Sequence, residues 1–443
     1  MRPVYLTWFI LLIFKLILGL LIPLSPDESY YWVWSHNLQL SYFDHPAAIS
    51  WLISLGHFLE NFLHAVRWPS ILLFHFGLLF WTDLLKRYFF LSNKQIILFL
   101  LVSFAVPLTG LGSIILTPDI PLFFFSTAAF YFLIRILHHH KISDYVFLGA
   151  SLGLGFCSKY HIVLFPITCF LLLFIKDFRN RINYKYLMLT ILFGFLFSLP
   201  VLVWNLQNDF VSFKFQITHG LGKAKWEPEW TRDYILGQLV LMFPALFFAL
   251  KKPKALDSLF LVLVAFAVTP LIFFFFTSFR GHVEANWPVS SYPFLVALLV
   301  LHINRAKETF AKVHLLLWGS LSLIISIHAI TPIVDGSNSK IDEPRILRQL
   351  ATEVASFNPL YASTYQIASS LSYNLKRPIN KLFQSSRFDF YDLTQKQPTV
   401  DKVFYLLKNK HTEYPEWLTA ENPIFHTEKT FDHDMVLIRV QRP

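Results

Sequence analysis

Long apolar stretches separated by short polar segments fill the chain up to about residue 331. The hydrocarbon core of a bilayer is about 30 Å thick, so a helix that crosses it needs about 20 apolar residues. By that measure the pattern predicts about eleven spans, of which the fifth and sixth are so short that one is expected to be tilted or partly re-entrant. The predicted extents are residues 4–24, 68–85, 96–115, 120–137, 145–157, 161–175, 187–204, 234–250, 257–277, 288–303 and 313–331. The expected fold class is therefore an α-helical polytopic membrane protein.

The pattern changes sharply after the last of these stretches. Residues 332–443 are polar, and helical patterns at 344–357 and 365–375 are followed by strand-like runs at 403–407 and 435–440. Alternation of helical and strand periodicities is typical of a mixed α/β unit. We therefore predict a transmembrane domain over residues 1–331 and a small α/β domain outside the membrane over residues 332–443.

The composition agrees with lipid as the main solvent of the first domain. Of the 443 residues, 55% are hydrophobic and only 15% are charged, whereas soluble domains carry about 25% charged residues. The net charge of +10 would suit nucleic acid in a soluble protein. Here the basic residues fall between apolar runs, as topology determinants beside an anionic bilayer do. We therefore expect membrane lipid and no nucleic acid among the partners.

The loops between the predicted spans alternate in basic content. One set holds fifteen Lys and Arg residues and the other holds seven. Because cytoplasmic loops carry the excess of Lys and Arg, the amino terminus is expected in the cytoplasm. The first apolar stretch ends at Pro23-Leu24-Ser25 without a small-residue cleavage site, so we expect a retained span in place of a signal peptide. An odd number of spans then places the carboxy-terminal domain outside, which is the periplasm if the protein sits in a bacterial inner membrane.

The outer loops collect ionisable groups at one membrane boundary. The first loop, residues 25–67, has two acidic segments, and four later loops add carboxylates, lysines, histidines and an arginine. The candidate site residues are Asp27, Glu28, Asp44, His45, Asp119, Lys159, Lys223, Lys225, Arg280, His282 and Glu284. Charged groups at a membrane are energetically unfavourable unless they are paired, and those that occur there commonly have a function. The set suits a phosphate-bearing substrate embedded in the membrane.

Several of these candidates also have a structural interpretation. The segment 25–28 is a good helix start that closes a capping box, with Asp27 complementing the helix dipole. Lys159 would then snorkel to the headgroups, and Arg280 would pair with Glu284 one helical turn away. The occurrence of all these groups on one face favours a functional site over separate caps and pairs.

An ordered series of motifs resembles a known superfamily. The segments are Asp27-Glu28 directly after the first span, Asp44-His45-Pro46, residues 117–122, residues 153–160 and Trp204-Asn205. Over about residues 5–300 the chain resembles the C-type glycosyltransferases related to protein O-mannosyltransferases and to bacterial lipid A aminoarabinose transferase, and it leans to the bacterial branch. Residues 25–66 contain no Lys or Arg, so the phosphate-contacting lysine of the aminoarabinose enzymes has no counterpart there. Phosphate binding then falls to later loops.

The resemblance implies transfer of a sugar, with inversion, from a polyprenyl-phosphate donor. The leading acceptor is lipid A or lipopolysaccharide core, and protein O-glycosylation by the same superfamily is the alternative. Asp27 matches the family's first-loop aspartate and would take the proton of the acceptor hydroxyl. Glu28 is a second catalytic candidate, which would orient the acceptor or cap the helix. Burial is expected to raise the pKa of Asp27 above the ordinary aspartate value.

The remaining candidates are assigned to substrate binding. The departing phosphate requires positive charge, for which we select Lys159, Arg280 and His282, with Lys223 and Lys225 as mobile helpers. The carboxylates Asp119 and Glu284 would hold sugar hydroxyls or orient these cations. No cofactor is expected, although His282, Glu284 and Asp119 offer ligands for a divalent metal as the alternative.

Two other classes of protein compete with a glycosyltransferase. A transporter or lipid flippase also needs many spans, but its buried charges would mark a pathway near the membrane midplane. A structural subunit has little reason to gather Asp27, Asp119, Lys159 and Arg280 at one face. Clustering at one boundary favours the enzyme.

Overall fold

The protein is described here by a computed structural model that covers residues 1–221, 225–249, 258–334, 339–395 and 400–443. The described part is helical up to Ile330 and continues as a mixed helix and sheet unit. The helices of the first part are α1 (Arg2–Leu21), α2 (Pro26–Ser35), α3 (Ala48–Ser54), α4 (Trp68–Arg87), α5 (Asn93–Ala105), α6 (Asp119–His139), α7 (Ile142–Phe156), α8 (Leu164–Leu172), α9 (Lys176–Asn180), α10 (Tyr184–Gln207), α11 (Val211–Leu221), α12 (Pro228–Met242), α13 (Ser258–Thr277), α14 (Tyr292–Leu301) and α15 (Arg305–Ile330).

Six helices of the described part are long and apolar enough to cross a membrane. They are α1, α4, α6, α10, α13 and α15. Four shorter apolar helical segments add to them, at residues 93–105, 142–156, 160–172 and 287–301. A multi-pass α-helical membrane protein, as the apolar pattern predicts, is thus confirmed.

Two of the predicted spans are broken by proline. Helix α5 ends at Ala105, and Val106 takes an extended ψ of 122° ahead of Pro107. Helix α12 ends at Met242, where Phe243 is extended ahead of Pro244. A residue before proline is disfavoured in the helical region because its backbone clashes with the proline ring. The predicted spans 96–115 and 234–250 are therefore interrupted helices.

Glycine allows close packing between the helices of the transmembrane domain. A Cβ atom on Gly149 of α7 would lie 2.4 Å from the carbonyl oxygen of Thr190 in α10, and one on Gly153 would lie 2.6 Å from that of Gly194. Small residues at such crossings let backbones approach, which is how helices associate in lipid. Helices α7 and α10 thus pack closely, and α7 ends at Phe156, just before Lys159.

The carboxy-terminal unit contains one mixed sheet and four helices among the described residues. They are α16 (Glu343–Val354), β1 (Leu360–Ala362), α17 (Tyr365–Leu375), β2 (Asn380–Lys381), α18 (Phe390–Gln395), β3 (Val403–Asn409), α19 (Glu416–Thr419), β4 (Ile424–Thr430) and β5 (Met435–Gln441). The strand order is β2-β1-β3-β5-β4, in which β1 runs parallel to β2 and β3, and β5 runs antiparallel to β3 and β4. This confirms a small α/β unit after the last apolar helix.

The α/β unit packs directly on the first outer loop. Aromatic side chains of α2 share one buried cluster with α16, α17 and α18. Tyr30 stacks with Tyr391 at a centroid distance of 6.2 Å, and Trp32 meets Tyr373 edge to face at 5.3 Å. Burial of such large rings contributes most of the contact energy in an interface of this kind. Helix α2 therefore lies between the membrane helices and the α/β unit.

Candidate active site

A cavity of about 370 Å³ opens between the first outer loop, the later outer loops and the α/β unit. Its walls combine carboxylates, cations and aromatic rings. The lining residues are Asp27, Tyr30, Tyr31, Asp44, His45, Lys159, His161, Phe215, Gln216, Glu284, Trp287, Tyr365 and Arg387. Five of the residues selected from the sequence, Asp27, Asp44, His45, Lys159 and Glu284, thus meet in one place.

Asp27 is held at the amino-terminal turn of α2. Ser25 caps this helix, and Pro26 occupies its first turn, so the carboxylate stands where the helix dipole favours negative charge. The phenolic hydroxyl of Tyr365 donates to Asp27 Oδ1 at 3.4 Å. Asp27 is exposed to the cavity, yet protein surrounds it closely.

Desolvation in this setting raises the pKa of Asp27 above the ordinary aspartate value. The Tyr365 hydrogen bond and the Arg387 charge oppose the rise, and the neighbouring carboxylate Asp44 adds to it. Burial followed by the Asp27 charge raises the pKa of Tyr365 to about 12, which keeps this phenol a proton donor near neutral pH. A carboxylate with a raised pKa is a better general base than an ordinary one.

Asp44 and Arg387 join the first outer loop to the α/β unit. Arg387 Nη1 donates to Asp44 Oδ1 at 2.6 Å, and the Tyr30 hydroxyl donates to Asp44 Oδ2 at 2.8 Å. The guanidinium also lies 4.6 Å from the centre of the Tyr365 ring. Burial works against the Arg387 charge, but Asp44 and Tyr365 outweigh it, and the pKa of Arg387 lies above its ordinary value. Arg387 is thus a permanent cation on the cavity wall.

Lys159 supplies a second cation from the opposite wall. The residue is only 5% exposed, and its Nζ donates to Asp119 Oδ1 at 2.7 Å. The other oxygen of Asp119 accepts from Asn286 Nδ2 at 2.8 Å. Asp119 therefore orients Lys159, which is one of the two roles expected for it. The snorkelling alternative does not describe this buried, paired lysine.

The loop after α13 contributes less than expected. Glu284 lines the cavity, and His282 Nδ1 lies 3.5 Å from Glu284 Oε1 with both side chains more than half exposed. Among the described residues the contact of Glu284 is with the His282 imidazole, in place of the expected pair with Arg280. Arg280 is exposed and lies outside the cavity lining.

Of the two helpers expected in the fourth outer loop, the structure describes only Lys225. Lys223 lies outside the described residues. Lys225 is exposed and is absent from the cavity lining among the described residues. The cations that the structure places at the cavity are instead Lys159 and Arg387.

Glu28 is buried away from the cavity. Its side chain is fully enclosed, forms an ion pair with Arg67 at 2.6 Å, and accepts from the backbone of Leu116 at 2.8 Å. It also closes the capping box with Ser25. Both carboxylate oxygens are occupied, so the capping alternative replaces the expected role of orienting the acceptor.

Sequence reasoning missed Tyr365 and Arg387 completely. Both belong to the α/β unit, and more than 300 residues separate them from the aspartates they contact. Neither stands in a motif, and neither is near a predicted span. Only the packing of the α/β unit on the first outer loop brings them to the cavity.

The three ligands considered for a divalent metal do not converge in the described structure. Asp119 is engaged by Lys159 and Asn286, while Glu284 pairs with His282. The carboxylates and cations of the cavity are paired with each other in a manner that suits an anionic substrate. A phosphate would compete with Asp44 for Arg387 and with Asp119 for Lys159.

Comparison with known proteins identifies relatives of this chain. Residues 44–204 match the model of the family described as dolichyl-phosphate-mannose-protein mannosyltransferase, a range that contains Asp44, Asp119 and Lys159. The lipid A galacturonosyltransferase RgtD of Rhizobium johnstonii is 25% identical over 326 residues, which are 69% of this chain. The chain is thus similar to bacterial members of the C-type glycosyltransferase superfamily.

A second relative extends the comparison. The undecaprenyl phosphate-alpha-4-amino-4-deoxy-L-arabinose arabinosyl transferase of Serratia proteamaculans is 28% identical over 251 residues, or 48% of this chain. The matches span 66% of the galacturonosyltransferase and 43% of the arabinosyl transferase.

A solved structure shares the fold over nearly the whole chain. The crystal structure of ArnT from Cupriavidus metallidurans bound to undecaprenyl phosphate matches 99% of this chain and 98% of its own, with a TM-score of 0.68 at 14% identity. The apo structure of the same protein gives the same TM-score at 13% identity. The membrane helices and the α/β unit thus belong to one shared architecture.

Proposed function

We propose that the protein transfers a sugar from a polyprenyl-phosphate carrier to lipid A or a similar lipopolysaccharide acceptor. One observation carries the proposal: a cavity with Asp27, Lys159 and Arg387 on its walls. The names of the two curated relatives, a lipid A galacturonosyltransferase and an undecaprenyl-phosphate arabinosyl transferase, support this substrate class.

The carboxylate of Asp27 acts as the general base. It removes the proton of the acceptor hydroxyl as that oxygen attacks the anomeric carbon of the donor. The bond between the anomeric carbon and the phosphate oxygen breaks, and its electron pair leaves with the polyprenyl phosphate. Attack from the side opposite to the leaving group inverts the anomeric centre. The desolvation that raises the pKa of Asp27 brings its basicity closer to the working pH.

Lys159 and Arg387 hold the departing phosphate. Lysine binds phosphate as a point charge, and arginine can grip two oxygens at once. In the substrate-free protein these cations are neutralised by Asp119 and Asp44. Negative charge that grows on the leaving oxygen strengthens both interactions in the transition state, which is the way binding lowers a barrier.

The remaining cavity residues position the two substrates. His45 and Glu284 line the wall beside the cations and the base, where they would contact the sugar hydroxyls. We assign the membrane as the bacterial inner membrane, with the amino terminus in the cytoplasm and the α/β unit in the periplasm. The excess of basic residues in the alternate loops supports that orientation.

The test is sugar transfer by the purified protein in lipid vesicles. A panel of undecaprenyl-phosphate sugars is supplied with lipid A as the acceptor, and wild type is compared with Asp27→Asn. We expect wild type to consume one donor, and Asp27→Asn to lose at least about 100-fold in kcat, the usual contribution of a general base. Asp401→Asn, an exposed aspartate of the α/β unit outside the cavity, is the matched control and should keep full activity.

Two results would contradict the proposal. Full activity of Asp27→Asn would leave that aspartate as a helix cap alone. Passage of a lipid or solute across the vesicle membrane, without consumption of any donor, would favour the transporter class instead.

A protein acceptor is the second candidate. It is favoured by the family description, dolichyl-phosphate-mannose-protein mannosyltransferase, which matches residues 44–204. The same assay with a serine- and threonine-rich peptide in place of lipid A separates the two acceptors. Transfer to the peptide alone would replace lipid A as the acceptor and retain the donor class.

A further inference from the structure

A second cavity lies on the other side of α2, separate from the candidate active site. It has a volume of about 400 Å³ and is bounded by Trp32, His36 and Glu60 of the first outer loop and by the segment from Ser372 to Asn380 of the α/β unit. Asp27, Tyr30 and Tyr31 point from the same helix to the first cavity. No catalytic role proposed above uses the residues of this second cavity.

Two histidines and a glutamate converge at its edge. His36 Nε2 lies 3.3 Å from Glu60 Oε1, and His57 Nε2 lies 3.6 Å from the same oxygen. The ligand atoms of all three lie within 4.8 Å of one another. The imidazole rings are stacked with centroids 4.2 Å apart. Among the described residues, this is the one group of three metal-ligating side chains that meets so closely.

These distances suit a transition metal. Zinc binds histidine nitrogen and carboxylate oxygen at about 2.0–2.1 Å in tetrahedral geometry, which places neighbouring ligand atoms about 3.3 Å apart. The separations of 3.3 Å and 3.6 Å are close to that value. Imidazole ligands favour zinc and its neighbours over magnesium or calcium, which prefer oxygen.

A hydrogen bond at His36 favours metal binding through its Nε2 atom. His36 Nδ1 lies 3.1 Å from the carbonyl oxygen of Trp32, and donation to that carbonyl leaves the Nε2 lone pair directed at Glu60. Trp32 Nε1 donates to Glu60 Oε1 at 3.0 Å, which fixes the carboxylate. The single hydroxyl hydrogen of Ser35 is donated to the Trp32 carbonyl, so its oxygen accepts from His57 Nε2 at 2.9 Å. A zinc ion would replace this proton and its hydrogen bond at His57.

We propose that His36, His57 and Glu60 bind one Zn²⁺ ion, with a fourth position open to the second cavity. Three protein ligands and one exchangeable position are a common arrangement for zinc. The ion would fasten the end of α2 to the turn His57–Leu59 and so brace the loop that also carries Asp27. The site is distinct from the proposed sugar-transfer chemistry.

The probe is Zn²⁺ alone, added to the full-length, tag-free protein in detergent after dialysis against a chelator. Isothermal titration should show one equivalent bound by wild type. His36→Ala and His57→Ala should each weaken binding at least about 10-fold, the smallest loss typical of the support residues around a metal site. Glu60→Gln should weaken zinc binding as well. The amide oxygen of the glutamine still accepts from Trp32, so this variant tests ligation without loss of the hydrogen bond that holds the loop.

A double variant at another histidine tract is the matched control. His138→Ala with His139→Ala removes the histidines at the end of α6 and should retain the wild-type affinity. X-ray absorption at the zinc edge should report two imidazole ligands in wild type and one in His57→Ala. The proposal is overturned if wild type binds no zinc, if the three loop variants bind as wild type does, or if only the control loses binding. None of these measurements requires a sugar donor, so the result is independent of the proposed function.

Discussion

Replacement of Glu28 by glutamine separates stability from catalysis in the acidic pair that opens α2. Glu28 Oε1 accepts from Arg67 Nε at 2.7 Å and from the Leu116 amide at 2.8 Å. Glu28 Oε2 accepts from Arg67 Nη2 at 2.6 Å and from the Ser25 amide at 2.8 Å. In either orientation a glutamine would direct its amino group at two donors. Two hydrogen bonds are therefore lost, together with the negative charge that neutralises Arg67.

The expected loss of stability is large because both partners are fully enclosed. The side chains of Arg67 and Glu28 are each 0% exposed. Arg67 also donates to the carbonyl oxygens of Gly19, Ile22 and Pro23, so the guanidinium cannot turn to solvent without releasing the end of α1. Removal of one partner of a buried pair costs about 3–5 kcal/mol, since an uncompensated charge remains. We expect Glu28→Gln to lose that amount of unfolding free energy.

The assay is equilibrium unfolding in mixed micelles, followed by tryptophan fluorescence. Glu353→Gln is the control, because Glu353 pairs with Lys429 at 2.6 Å on the exposed surface and its loss should leave the unfolding curve unchanged. The double variant Glu28→Gln with Arg67→Gln removes both charges and should recover part of the lost stability. Sugar transfer is then measured at a low temperature where Glu28→Gln is folded, and we expect activity close to wild type.

Two outcomes would refute this reasoning. A destabilisation below about 1 kcal/mol, the upper value of an exposed pair, would mean that the enclosed ion pair contributes no more than a surface one. A folded Glu28→Gln protein whose transfer rate falls as far as that of Asp27→Asn would return Glu28 to the catalytic residues.

Three further predictions concern the cavity and use the transfer assay. Tyr365→Phe removes a hydrogen bond that stabilises the charged form of Asp27 and opposes the rise of its pKa. The acid limb of the kcat/KM profile should therefore move to higher pH, and a shift to lower pH would contradict this prediction. Lys159→Met should lower kcat by about 10²–10³-fold, whereas Asp119→Asn, which only orients this lysine, should cost less; equal losses would make Asp119 a direct contact. Arg387→Lys keeps the charge but loses the two-point grip, so it should retain more activity than Arg387→Ala, and equal activity of the two variants would exclude a phosphate contact.

Much of the fold follows from local properties of the chain. Twenty apolar residues in a row have to form a helix in lipid, because every backbone polar group must be satisfied within the segment. The long helices α1, α6, α10, α13 and α15 accordingly lie where the apolar stretches predict them. The apolar stretches do not predict the interruptions at Val106 and Phe243. A single following proline ends the helix there without shortening the apolar stretch.

Part of the candidate site is also local. Ser25 and Pro26 start a helix and Asp27 occupies its first turn, so the position of this carboxylate could be predicted from four residues. The pairing of Lys159 with Asp119 joins two short loops on the same face, which the span count also places together. The choice between a catalytic and a capping role for Glu28 was not local, because it depended on Arg67, 39 residues later.

The sequence by itself determined that this chain is a multi-pass helical protein with an α/β unit at its carboxy-terminal end and acidic and basic groups at one membrane boundary. Those features follow from hydrophobicity and from backbone hydrogen bonding within each segment. The tertiary structure alone decided which groups share a cavity. The packing of α17 on α2 placed Tyr365 beside Asp27, and the segment before α18 placed Arg387 beside Asp44. Contacts between residues so distant in the chain depend on how whole domains fit together, and no local pattern records that fit.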